Sequence, residues 1–350
     1  MNPPGIVTSA LSRGSTVSAV EGSRVIIEGE NLPVNIETIF DVASLTKIIF
    51  TTNAFMLLVD AGIVDLEDSV SRFLPEWNTS EKSGITISHL LSHRSGLEQW
   101  RPFYITSSDE TEVLQRITSM PLKFPINVSR NYSDLGFMVL GIIAKNLFGK
   151  DYEKILSDEI RSRISIPNTS FSKPVNFLNV AATSKGDAYE LEMVSTGVPY
   201  PVQEKAEAFT RWRKHYLVGE INDGNSFHTF GGFAGHAGVF SNAPDILELC
   251  KTYLDSYSTN GVFKSVTLHK FLQPGLDRMQ GLGFRNWIIQ TEAGAKTVYG
   301  HTGFTGTAFG FIPEEDFAAV MLTNRLHTSE IAVKTEDLWL PFLESSLARK

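Results

Sequence analysis

β-Prone segments stand at both ends of this 350-residue chain, and helical texture fills the middle. Short alternating runs at 5–10, 16–20 and 24–28, with turns at Arg13-Gly14 and Glu21-Gly22, predict a small antiparallel meander. Strand patterns return at 297–300, 305–312 and 317–324, the last two joined by a turn at 313–316, and a helix at about 329–347 closes the chain. Helical periodicity marks 87–92, 109–119, 133–148, 151–163 and 243–256. Sheet faces must be covered, so this order predicts an α/β (α+β) fold with an antiparallel sheet flanked by helices. Residues 1–62 and 218–350 would form that discontinuous domain. Residues 63–217 would form an inserted, mostly helical one, with the active site in the cleft between them.

One stretch carries chemistry. An apolar segment runs from Phe40 to Ser44, and Lys47 follows three residues later. Residues 44–60 read as a helix, with Ile48, Phe55, Leu58 and Val59 at roughly helical spacing and Gly62 past its end. Residues three apart share a helix face, so the Lys47 ammonium reaches the Ser44 hydroxyl. At a helix start Ser44 would also sit among free N–H groups that favour developing negative charge. A hydroxyl needs a neighbour to take its proton before it is a good nucleophile. Ser170–Lys173 repeats the spacing, but between Pro167 and Pro174 it cannot open a long helix.

Composition narrows the field. A net charge of −8 argues against nucleic acid or an anionic membrane as the main partner. The longest apolar runs, such as 137–144, fall far short of the roughly 20 residues that span a bilayer. A single cysteine, Cys250, excludes an internal disulfide and a cysteine-based zinc site, and its apolar setting predicts an inert buried thiol. No leader pattern opens the chain, so the expected location is cytoplasmic, or exported if a leader has been removed.

Two further motifs lie downstream. Tyr132-Ser133-Asp134 sits at a loop-to-helix junction, and His301-Thr302-Gly303 follows a strand pattern. S-x-x-K, Y-S-D and H-T-G occur in the order and wide spacing of the S-x-x-K, S-D-N and K-T-G set. On these motifs, and on matching segments at 40–47, 85–97, 132–141, 219–223, 231–242 and 322–325, the chain resembles the serine β-lactamase/penicillin-binding superfamily. The likeness is to the class C-like branch of D-alanyl-D-alanine carboxypeptidases, β-lactamases and esterases, and it runs over nearly the whole length.

The resemblance implies that Ser44 forms an acyl-enzyme, that Lys47 eases removal of its proton, and that Tyr132 acts as base and then acid. The choice between Lys47 and Tyr132 as the base stays open at this point. The backbone N–H groups of Ser44 and Phe304 would form the oxyanion hole. Asp134, His301, Thr302, Gly303 and Arg325 would contact substrate, with Arg325 meeting a carboxylate. No metal or cofactor is implied. The implied substrate is a D-Ala-D-Ala-type peptide of peptidoglycan, a β-lactam or a small ester, or else the chain is a slowly acylated penicillin-binding sensor. Asp134 stands where Asn is usual. A carboxylate only accepts hydrogen bonds, so it would orient Lys47 well and bind a substrate amide poorly.

Other residues read as structural. His89 and His93, four apart, lack the Glu of a zinc helix. The glycine-rich loop 231–238 lacks a phosphate-binding spacing and predicts a tight loop near the cleft, with His236 a weak candidate for the site. Asn222 and Asp223 suggest another loop near the cleft, and Trp100, Trp212 and Trp287 either line a pocket or pack.

Overall fold

The computed structural model describes residues 3–292, 294–328 and 332–348. Strands β1 (Gly5–Ser12), β2 (Ser15–Ile27) and β3 (Glu30–Pro33) open the chain, and β4 (Phe40–Asp41) leads into the helical run Ala43–Asp60. That run begins as a 3₁₀ turn at Ala43–Leu45, widens into a π-helical stretch at Lys47–Thr52, and ends as α1 (Asn53–Asp60). It is the one described helical run apolar and long enough to cross a membrane, and 78% of it is buried in the fold. The central region holds α2 (Ile87–Leu91), α3 (Glu110–Ser119), α4 (Asp134–Phe148), α5 (Tyr152–Ile155), β5 (Ser170–Phe171), β6 (Ala182–Lys185) and α6 (Ala188–Thr196). Then come β7 (Tyr216–Val218), α7 (Gly224–His228), β8 (Val239–Ser241), α8 (Ala243–Ser258) and α9 (Ser265–Leu272). The chain closes with β9 (Arg285–Thr291), β10 (Gly294–Gly303), β11 (Thr307–Ile312), β12 (Phe317–Thr323) and α10 (Thr335–Ala348).

Both chain ends build one antiparallel sheet in the order β3-β2-β1-β12-β11-β10-β9. The middle strands β11 and β12 are buried along their whole length, and β12 reads accordingly as the apolar run Ala318-Ala319-Val320-Met321-Leu322. One face carries Phe309, Phe311, Val320 and Leu322 into a large core shared with residues of the Ala43–Asp60 run, α4 and α8. The other face carries Trp287, Val298, Met321 and Phe317 against Trp339 and Leu343 of α10. Burying both faces of a sheet under helices is what a mixed apolar pattern at the termini requires.

The expected turn at Glu21-Gly22 does not form. Gly22 holds φ +82°, and a Cβ there would lie 2.0 Å from the Pro4 carbonyl oxygen. The glycine lets one long strand kink and exchange partners, from β1 before it to β3 after it. The helix expected to start at about 329 starts at Thr335: residues 332–334 are described and not helical, and 329–331 lie outside the described residues. The second serine–lysine spacing falls in β5, where Ser170 Oγ donates to the Lys173 carbonyl (2.7 Å) rather than opening a helix.

Candidate active site

The turn that presents Ser44 is held from three sides. Thr305 Oγ1 donates to the Asp41 carbonyl (2.7 Å), and Thr307 Oγ1 (3.0 Å) and the Leu45 N–H (3.0 Å) donate to the Val42 carbonyl. Asp41 accepts from the N–H groups of Ala43 (2.8 Å) and Asn222 (2.7 Å), and burial pushes its carboxyl up to about 6. Ala43 itself takes a left-handed φ of +46°, a strained conformation for a residue with a Cβ, just before Ser44. These ties fasten the Ser44 turn to the β10–β11 hairpin, which carries Phe304 and thus the second expected oxyanion donor.

Gly303 is required by that closeness. A Cβ there would meet Thr307 Oγ1 at 2.2 Å and the Val42 carbonyl oxygen at 2.5 Å. Gly303→Ala is expected to wedge the hairpin from the turn and lower the acylation rate about 100-fold, as a small misplacement of reacting groups can. A stopped-flow ester burst measures this, and an unchanged burst would show that the spacing does not matter.

Behind Ser44 sits Lys47, fully buried. Its ammonium donates to Ser44 Oγ (3.0 Å) and to the His236 carbonyl (3.0 Å) and pairs with Asp134 Oδ1 (2.7 Å). Burial pulls its pKa down, yet the Asp134 carboxylate and, after it, the Tyr132 phenol oxygen outweigh this and hold Lys47 charged, its pKa well above the usual lysine range. Tyr132 lies 5.1 Å, ring centre to ammonium, from the same lysine. Burial raises the Tyr132 phenol, while Lys47 and a hydrogen bond with Ser44 draw it back down. The net direction is upward, so the resting site holds an ammonium and a neutral phenol. Ser133 caps α4 by accepting from the Gly136 N–H (3.3 Å), which starts the helix at Asp134 and aims that carboxylate at Lys47.

The glycine-rich loop supplies the third partner of Lys47. Gly235 packs against α4 so tightly that a Cβ would stand 2.2 Å from the Phe137 carbonyl oxygen. Thr51 Oγ1 fixes the loop through the Gly235 carbonyl (2.6 Å), and His236 Nε2 meets Asp223 Oδ1 (3.0 Å). His236 therefore serves through its backbone oxygen. Asp223, half-buried, is held below the usual carboxylate range by His236. Its neighbour Glu190 accepts from the Gly224 N–H (2.7 Å), and burial and then the Asp223 charge push its carboxyl up to about 8.

A raised carboxyl binds its proton more tightly in the folded state. Its contribution is present below about pH 4.5 and is lost as pH climbs through about 8. Glu190→Gln is expected to match wild type near pH 4 and to exceed it by about 4–5 kcal/mol at pH 9 in denaturant unfolding. A constant difference across that range would contradict this assignment of the buried proton.

A cleft of ≈ 500 Å³ opens in front of Ser44, lined also by Tyr132, Tyr200, His301, Thr302, Gly303 and Phe304. Arg130, Arg285, Arg325 and Lys334 ring it, against one acidic lining residue, Glu336, among those described. His301 Nδ1 donates to the Thr302 carbonyl (2.7 Å), which leaves Nε2 a bare acceptor with no partner among the described residues. Burial and the Lys47 charge hold its pKa well below the usual histidine range, so it is neutral. Arg325, expected to meet a carboxylate, spends its two terminal nitrogens on the carbonyls of Phe304 and Val333 (3.0 Å to the latter) and braces the hairpin.

Arg285, which sequence reasoning missed, instead donates to Thr302 Oγ1 (2.8 Å) and pairs with Glu336 (3.0 Å). Arg130 and Tyr200 were missed too. Their only signal was an arginine two residues before Tyr132 and a tyrosine in a structureless stretch. The three tryptophans pack: Trp100 against Val194 and Ala206, Trp212 against Tyr104, and Trp287 against Trp339. No group of three or more His, Cys, Asp or Glu placed to hold a metal ion occurs among the described residues.

Comparison with known proteins gives the family and the fold. The Beta-lactamase family model matches residues 4–341. An N-acetylmuramyl-L-alanine amidase of Bacillus subtilis (strain 168) is 29% identical, covering 94% of this chain and 78% of its own length. An Escherichia coli (strain K12) protein named "Putative D-alanyl-D-alanine carboxypeptidase" is 28% identical over 83% of this chain and 70% of its own. The fold is that of a class C beta-lactamase from Rhodobacter sphaeroides, with a TM-score of 0.67 at 18% identity over 93% of this chain and 91% of that one. The chain is a serine hydrolase of the beta-lactamase family.

Proposed function

We propose that the protein cleaves an amide beside a free carboxylate, as in a D-Ala-D-Ala-type peptide or a β-lactam, through an acyl-enzyme on Ser44. The observation that carries this reading is the ring of Arg130, Arg285, Arg325 and Lys334 around the nucleophile of a chain whose net charge is −8. A cationic mouth on an anionic protein recruits anions to that place. Arg285, already bonded to Thr302, is the guanidinium best placed to take a substrate carboxylate in a forked pair. Both curated relatives named above carry names of amide-cleaving activities, which favours an amide over an ester.

Chemically, Ser44 Oγ adds to the carbonyl carbon while its proton passes to the ionised form of Tyr132. Lys47 keeps its charge and stabilises that phenolate, while the N–H groups of Ser44 and Phe304 take the developing oxyanion. The C–N bond then breaks as Tyr132 returns the proton to the leaving nitrogen. Water adds to the Ser44 ester with its proton going to Tyr132, and collapse returns a proton to Ser44 Oγ and frees the acid. Lys47, pinned as an ammonium by Asp134, is a poor base, which favours Tyr132 for that part.

A peptide ending in D-Ala-D-Ala is expected to be cut about tenfold or more faster as the free acid than as its C-terminal amide, and Arg285→Ala should erase the difference. Equal rates for acid and amide would remove the carboxylate from the reading. A carboxylesterase of small esters is the second reading, favoured by Asp134, which cannot donate to a substrate amide carbonyl.

A further inference from the structure

We propose that His93 is the positioning residue of Tyr132, a role that rests on Tyr132 being the base. Residues on both sides of the tyrosine are tied to this one histidine. The Asn131 N–H donates to the His93 carbonyl (2.8 Å), and the Ser133 N–H donates to His93 Nδ1 (3.0 Å). The imidazole then lies against the phenol ring, with centroids 4.4 Å apart and planes tilted by 35°, and its other neighbour is Phe137 at 5.1 Å. His93 thus fixes the backbone before Tyr132, the backbone after it and the ring between.

The local chain is built for this grip. His93 follows the C-terminal end of α2 and takes φ +57°, a left-handed turn that a histidine adopts at a cost in strain. That turn points the ring inward, where it is 1% exposed. The next residue holds the far end of the same segment: Arg94 Nε donates to Asn127 Oδ1 (2.9 Å), Arg94 Nη2 to the Asn127 carbonyl (2.8 Å), and the Asn127 N–H to the Arg94 carbonyl (2.8 Å). Two consecutive residues therefore clamp the loop from Asn127 to Ser133 at both ends.

Chemistry fixes the protonation state. A nitrogen that accepts from a backbone N–H carries no proton, so the His93 proton is on Nε2, which has no partner among the described residues. The groups facing the ring are Tyr132 and the cations Lys47 and Arg130, with neutral His301 nearby; burial and the Lys47 charge keep His93 neutral. Protonation would put a hydrogen on Nδ1, turn the acceptor into a donor and expel the Ser133 N–H. The tyrosine turn would go with it.

Two amide substitutions separate this role from simple filling of space. His93→Asn keeps an acceptor on the atom next to Cγ, where Nδ1 was, and asparagine tolerates a left-handed φ. His93→Gln moves the acceptor one bond further out. The readouts are the acylation burst with p-nitrophenyl acetate across pH, and the Tyr132 ionisation taken as the difference in phenolate absorbance between each protein and its Tyr132→Phe counterpart.

His93→Asn is expected to stay within about threefold of wild type, whereas His93→Gln should lose about 30-fold or more in burst rate with KM little changed and shift the Tyr132 ionisation. Equal rates and equal tyrosine titrations in the two variants would overturn the proposal. So would equal losses in both with circular dichroism and Tm matching wild type. Should Tyr132→Phe itself keep the full burst, the base assignment fails, and the His93 role falls for that separate reason.

Discussion

Tyr132→Phe is expected to lower the acylation rate about 1,000-fold, within the range of general acid–base catalysis, while leaving KM for a small ester within about threefold. The change deletes one oxygen and leaves the ring on His93 and the Ser133 cap of α4 in place, so the fold should hold. The pH profile of the wild type carries the same information. Burial raises the Tyr132 phenol, and Lys47 offsets only part of that, so the reactive phenolate is a minor form near neutrality. A base whose pKa lies high is ionised more fully as pH rises, and the rate should climb toward alkaline pH until Tyr132 has titrated. Tyr132→Phe should flatten that rise. A steep alkaline limb that survives in Tyr132→Phe would assign the base elsewhere, with Lys47 the remaining choice.

Lys47→Met is expected to be as costly to activity, and it also strikes the fold. Methionine fills much of the lysine volume but leaves the Asp134 carboxylate, 18% exposed, facing a buried apolar chain instead of an ammonium 2.7 Å away. Removing one partner of a buried pair costs about 3–5 kcal/mol, and the partial exposure of Asp134 places this case near the lower end. Adding Asp134→Asn removes the stranded charge. The double variant Lys47→Met/Asp134→Asn should regain most of the lost stability while turnover stays absent. Urea unfolding gives the first quantity and ester turnover the second. Recovery of activity in the double variant would mean that Lys47 acts only by neutralising Asp134.

Three of the site's elements were legible in the sequence because each is local. Ser44 and Lys47 lie within one helical turn, Tyr132 and Asp134 flank a cap, and His301-Thr302-Gly303 ends one strand. The departure from Asn to Asp at 134 also had a local meaning, and in the structure Asp134 pairs with Lys47. What escaped depends on pairing between distant segments. Arg285 reaches Thr302 only because β9 pairs with β10 so that Arg285 stands opposite Gly300, and nothing in the sequence near 285 announces that register.

His93 could be read as a member of an i, i+4 pair, but not as the anchor of a loop 40 residues away. The kink at Gly22 was misread for another reason. Glycine marks a turn and a strand bend alike, and only the exchange of partners from β1 to β3 decides between them. His236 was placed near the site through its side chain, while its backbone carbonyl does the binding, a contact available to any residue type.

The most direct test of the account is intact-protein mass spectrometry after brief exposure to a fluorescent penicillin and, separately, to p-nitrophenyl acetate. The account predicts a single covalent adduct on Ser44 with at least one reagent, absent in Ser44→Ala. Its lifetime then sorts the chemistry: a persistent penicilloyl group marks a penicillin-binding peptidase or sensor, rapid release marks a β-lactamase, and reaction with the ester alone marks an esterase. An adduct that persists in Ser44→Ala, or no adduct with either reagent, would contradict the claim that Ser44 is the nucleophile of this site.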